Sequence, residues 1–170
     1  MRTKIENALA QLIGLPLWGA GRVVEMEWFQ LGEHRNLTNY DGSYKTAGAW
    51  ALHIFCAWRI RDPKRIIVAS SNCYIGAERV ENSDETFDWD VRGANQRDQR
   101  TIQFMQDKQD SLIVTGIVAD DVGGFCLKLA PNFSLEAFPN SPAVDFECWR
   151  LFQPATQSPH FVVTTSGIET

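Results

Sequence analysis

Apolar and polar residues alternate with a period of two through much of this chain, and two stretches carry the period of a helix instead. The first is N-terminal: Ile5, Ala8, Leu9, Leu12 and Ile13 fall at i, i+3, i+4, i+7 and i+8, on one helical face. Thr3 and Glu6 have capping-box spacing, Gly14 suits the position just past a helix end, and Pro16 stops continuation. So short a helix needs its stripe docked, and a sheet is the expected support. The second stretch runs from Asn95, a good cap, to about Asp107, with Ile102 and Met105 inward.

The remaining pattern is that of strands. From Arg22 to Leu31, Val24, Met26 and Trp28 point one way and Glu25, Glu27 and Phe29 the other. Gly32 to Gly48 is polar and turn-rich and reads as a long loop or hairpin connection. Ala49 to Ile60 is the strongest single strand. Trp50, Leu52, Ile54, Cys56, Trp58 and Ile60 make a wholly apolar face, and the small residues of the other face invite the first helix. A turn at Asp62-Pro63-Lys64 leads into a return strand, Arg65 to Ser70. Gly76 to Gly93 lacks periodicity, and the C-terminal third reads as a meander. The order lacks regular βαβ alternation. It predicts an α+β fold, a mostly antiparallel sheet of about six to eight strands with one N-terminal and one mid-chain helix, in a single domain spanning the chain.

Composition narrows the function classes. With 44% apolar and 22% charged residues in 170, the chain can build a core without disulfides or metals. A net charge of -5 argues against a general nucleic-acid binder and a polybasic membrane anchor. No run approaches the ~20 apolar residues of a membrane span, and Pro16 interrupts the apolar N-terminal stretch where a signal peptide would not be broken. A cytoplasmic location is expected. Cys56 and Cys148 sit in apolar runs, as small buried hydrophobes do, although the even cysteine count also permits two disulfides. No cysteine or histidine spacing suggests zinc.

Familiar catalytic signatures are missing. Gly19-Ala20-Gly21 precedes Arg22 and a strand, where a phosphate cradle needs a helix. Glu25 and Glu27 have the ~7 Å separation of a glycosidase pair, which is also the ordinary pattern of a half-exposed strand. No catalytic residue, metal ligand or cofactor is assigned. His53, in the middle of an apolar strand, joins Trp28, Trp58 and Trp149 as candidates to line a pocket between helix and sheet, suited to an aromatic or apolar ligand. The acidic stretch holding Asp84, Asp88, Trp89 and Asp90 is a candidate surface for a basic protein partner. It lacks EF-hand order, and cation binding there stays open. Arg59 and Arg150 each follow a Trp and would bind an anion if they emerged on one face. Exposed rings would also suit a homo-oligomer.

The runs Trp50-Ala51-Leu52-His53-Ile54, Cys56-Ala57-Trp58-Arg59-Ile60 and Glu147-Cys148-Trp149-Arg150-Leu151-Phe152, with His160-Phe161-Val162-Val163, resemble a group of short, uncharacterised bacterial proteins. The resemblance implies a bacterial source and transfers no catalytic residue. Small acidic α+β proteins of this kind resemble immunity or accessory proteins encoded beside toxins, an analogy of fold only. The leading expectation is a non-enzymatic binding protein acting through its acidic, aromatic-bearing surface. The alternative is a small-molecule binder or enzyme with an aromatic-lined pocket.

Overall fold

The computed structural model describes residues 1–38, 41–77, 87–108 and 111–169. Among them are two α-helices and eleven strands. The N-terminal half holds α1 (Arg2–Leu9), β1 (Leu17–Val23), β2 (Met26–Thr38), β3 (Tyr44–Ile54), β4 (Ala57–Arg61) and β5 (Ile66–Ala69). Then follow α2 (Gln96–Lys108), β6 (Val114–Ala119), β7 (Phe125–Leu129), β8 (Phe133–Phe138), β9 (Glu147–Phe152), β10 (Phe161–Thr164) and β11 (Gly167–Glu169). The class is α+β with antiparallel pairing throughout. One sheet has the order β1-β2-β3-β9-β10-β11 and the other β5-β4-β8-β7-β6.

The strand number exceeds the expected range because stretches read as single strands or loops each divide. Residues 22–31 do not form one strand. The chain reverses at Val24-Glu25, with Val24 in the left-handed region at φ 54. Nothing in Val-Val-Glu-Met announces a turn. The cause is tertiary: the Arg97 guanidinium on α2 donates to the carbonyls of Val24, at 3.0 Å, and Glu25. The expected loop at 32–48 is instead mostly strand. A bulge between Leu31 and His34, with Gly32 at φ 79, bends β2 and lets it run on to Thr38 beside β3.

The alternation from Ala49 to Ile60 keeps its parity but changes sheets. The amides of Phe55 and Cys56 both donate to the Cys148 carbonyl, and the chain passes from β3 in one sheet to β4 in the other. Leu52, Ile54, Cys56, Trp58 and Ile60 are buried, as their shared face predicts, whereas Trp50 at its start is only half-buried. That face lines the space between the sheets, where Phe29 meets Trp58 edge-on at 5.6 Å and Phe125 meets Trp149 at 4.9 Å. Each such side chain contributes about 1.5–3 kcal/mol of burial.

The helices close this core. The α1 stripe buries Ile5 and Leu9, and the following 3₁₀ turn buries Leu12. α1 packs against β6, not against the small-residue face of β3. Its capping box does not form: Met1 is the cap residue, and the Glu6 carboxylate instead accepts from the Ala119 amide. Asn95 does cap α2, its Oδ1 accepting from the Asp98 amide at 2.9 Å. Met105 is inward, but Ile102 is 45% exposed, and the buried face includes Arg97, Asp98 and Thr101. The two sheets are also joined where Leu17 N donates to Leu112 O and Val114 N to Leu15 O. All four thiols are free. Among the described residues no helix is long and apolar enough to cross a membrane.

Candidate functional site

Because α1 lies on β6, no helix among the described residues covers the outer face of the six-stranded sheet. Two cross-strand rows cross it, and their members Trp28, Gln30, Ala51, His53 and Phe152 line a groove there. One runs Gly21, Trp28, His53, Arg150 and the other Gly19, Gln30, Ala51, Phe152. The rows read from sequence as Trp28 on one face of β2 and His53 on the small-residue face of β3 are therefore one surface. The bent β2–β3 arm supplies a wall through Leu37, Thr38, Lys45 and Thr46, and Pro154 and Ala155 border the far side. The result is a groove of about 700 Å³, with no helical residue lining it among the described residues.

Rings dominate this groove. Trp18 donates its Nε1–H to the Gly32 carbonyl at 2.8 Å and stacks on His34 at 3.8 Å, which orients it at one end. Phe152 lies edge-on to His53 at 4.8 Å and stacked with His160 at 4.4 Å. Burial, helped by the nearby Arg150 charge, pushes the His53 imidazole down to about 4. It is therefore neutral at pH 7 and presents one donor and one acceptor nitrogen. Ala51, 1% exposed, lies at the base of the groove between its register partners Gln30 and Phe152. Compared with protein-family models, curated proteins and solved structures, the chain matches none.

The structure separates the four pocket residues expected from sequence. Trp28 and His53 meet in the groove. Trp58, 1% exposed, and Trp149, 0% exposed, lie on the opposite, core-facing side. Parity along β3 and β4 already divides His53 from Trp58; only the mistaken place of α1 brought them together. Trp149 is spoken for, since its Nε1–H donates to the Gly123 carbonyl at 2.7 Å. The anion candidates do not converge either: Arg59 on β4 and Arg150 on β9 belong to different sheets. Arg59 pairs with Glu136 at 2.6 Å, and Arg150 pairs with Glu147.

The described end of the acidic segment, Asp88 to Asp90, lies against the start of α2. Asp90 accepts from Arg22 Nη1 at 3.1 Å, and Asp88 accepts from the Asp90 amide. The Trp89 ring lies 6.2 Å from Tyr74, while its carbonyl accepts from Arg22 and Asn95. Asp84 lies outside the described residues. Among those described, no three His, Cys, Asp or Glu side chains converge as metal ligands.

Beneath this segment is a buried ionic cluster that pattern reading missed. Arg22 grips Asp98 with Nε at 2.6 Å and Nη2 at 3.0 Å. Burial works to raise the Asp98 carboxyl, but the bonds from Arg22 and the Gly93 amide outweigh it and hold the group below its ordinary range. Glu27, only 1% exposed, is pushed up to about 8 by burial, against the pull of Arg97. Arg97 Nε and Glu27 Oε2 stand 3.6 Å apart, and both atoms lack a hydrogen-bond partner, as do Thr101 Oγ1 and Trp58 Nε1. The available signal was the α2 stripe itself: Arg97, Thr101, Phe104 and Met105 fall at i, i+4, i+7 and i+8. A charged residue heading an inward stripe is unusual enough to mark the place.

Proposed function

We propose that the chain is a non-enzymatic small-molecule-binding protein, whose groove over Ala51 holds a planar, largely apolar ligand. The observation that carries this reading is the pairing of Trp28 and His53 in register on a sheet face that none of the described helices covers. A planar molecule resting there would meet the rings of Trp28 and Phe152, each such contact contributing about 0.5–1.5 kcal/mol beyond simple burial. The neutral His53 would recognise one polar edge atom as donor or acceptor. Mostly apolar walls with a few placed polar groups are the usual composition of a ligand pocket.

Thermal-shift measurement with planar heteroaromatic fragments tests this. Stabilising fragments are expected, because a ligand that binds only the native state raises the melting temperature. Their effect should vanish in Ala51→Leu, which fills the groove floor. Fragments that stabilise Ala51→Leu as well as the parent, or a complete lack of stabilising fragments, would refute the reading. An acidic surface for a basic partner has less support, because Arg22 already neutralises Asp90.

A further inference from the structure

The groove has a polar end that the ring contacts do not use. Lys45, Ala47, Ala51 and His53 fall at alternate positions of β3, share one face of the strand and all line the groove. With His53 neutral, Lys45 is the one charged side chain among the described residues of the lining, and its ammonium has no partner among them. Gln30 reaches toward the same arm, where its Oε1 accepts from the Gly48 amide at 2.6 Å. A backbone N–H only donates, so this bond fixes which way the side-chain amide faces and leaves both N–H groups of Nε2 as donors. Nε2 has no protein partner and is not among the buried atoms left without one, so it is open to solvent. Among its described residues the groove is lined by no carboxylate. Three other cavities each include at least one, from Glu25, from Asp62 and Asp107, or from Asp120 and Glu136. In a chain of net charge -5, the groove is a place where an incoming anion meets donors and no lining charge of its own sign.

We propose that the ligand of this groove carries a single anionic group, which pairs with the Lys45 ammonium and accepts from Gln30 Nε2 while its planar ring meets Trp28 and Phe152. This rests on the groove being a ligand site. One ammonium balances one negative charge, and a second would find no cation in the lining. An exposed ammonium alone raises the affinity for an anion by up to about fivefold. A neutral donor such as the Gln30 amide adds to that, because hydrogen bonds to a charged acceptor are stronger than those to a neutral one.

Three probes with one ring system separate charge from shape: quinoline, quinoline-6-carboxylate and 1-methylquinolinium. Each is titrated at low ionic strength into the ¹⁵N-labelled parent, Lys45→Arg and Lys45→Met, with the Trp28 indole N–H followed by NMR. Lys45 is exposed, so neither replacement disturbs the core. In the parent the carboxylate should bind about five- to tenfold tighter than quinoline, the cation should bind more weakly than quinoline, and added salt should narrow the gap. Lys45→Arg should keep this order, and Lys45→Met should reduce the advantage of the carboxylate to about twofold. A carboxylate that binds no tighter than quinoline, or an advantage that survives undiminished in Lys45→Met, overturns the proposal and leaves the groove a site for uncharged ligands. If none of the three probes moves the Trp28 resonance, the groove is not a ligand site and the proposal falls with it.

Discussion

The indole of Trp28 lies so close over the backbone of Gly21 that a β-carbon there would sit 2.5 Å from the ring. The two residues are register partners on β1 and β2. Gly19-Ala20-Gly21 is thus no phosphate loop; its glycines keep the outer face of β1 low enough for the ring that edges the groove. Gly21→Ala should displace Trp28, change the near-ultraviolet circular dichroism of the tryptophans and destabilise the fold by about 1–3 kcal/mol. Gly116→Ala, where a β-carbon meets only Lys128 at an ordinary 3.5 Å, should change neither signal. Equal effects from both substitutions would contradict the packing.

Arg22 and Asp98 tie the β1–β2 hairpin to α2 through a bidentate pair whose side chains are almost wholly buried. Removing Asp98 leaves the buried Arg22 guanidinium only the half-exposed Asp90 as an anionic partner, at a cost of about 3–5 kcal/mol. Asp98→Ala should therefore lower the urea midpoint sharply. The double replacement Arg22→Met with Asp98→Leu should recover much of the loss, because two apolar groups leave no stranded charge. A double variant as weak as the single one would show that the ion pair itself, rather than its completeness, stabilises the fold.

Glu27 should make stability decline as pH rises. Its native carboxyl holds a proton up to about pH 8, whereas an ordinary carboxyl of its kind ionises near 4.5. Between those values the native state binds more protons than the unfolded state, so the stabilisation is complete below 4.5 and lost as pH climbs through 8. Glu27→Gln should flatten that decline and be the more stable protein above pH 8, by on the order of a few kcal/mol. Chemical denaturation of both proteins from pH 5 to 9 provides the comparison. Parallel curves would contradict the assignment.

His53 acts in the opposite sense. With its native value near 4 against an ordinary 6.5, the unfolded state takes up the extra proton in that window, and stability falls as pH drops through it. Following the His53 Cε1 proton by NMR should give a midpoint near 4. A midpoint near 6.5 would mean that the ring is solvated and that the groove is more open than its lining implies.

Much of the architecture was legible from local pattern. The faces of β3 and β4, the α1 stripe and the Asn95 cap all follow from spacing alone, because burial imposes period two on strands and 3.6 on helices. Other features depend on partners distant in sequence. The Val24 turn is held by Arg97, the β3-to-β4 crossing by the Cys148 carbonyl, and the Glu6 carboxylate by the Ala119 amide rather than its own helix. The groove was half legible for the same reason. Trp28 and His53 stood out as individual residues, but their meeting depends on a register that the bulge at Gly32 helps to set, and on α1 lying elsewhere.

Titration of the protein with quinoline, planar and uncharged at pH 7 with one acceptor nitrogen, tests the groove most directly. The His53 Cε1 proton and the Trp28 indole N–H should move together and saturate at one concentration, with the Trp58 indole unmoved. Resonances of Trp28 and His53 that stay fixed, or that move just as far in Ala51→Leu, would contradict a ligand site on this face of the sheet.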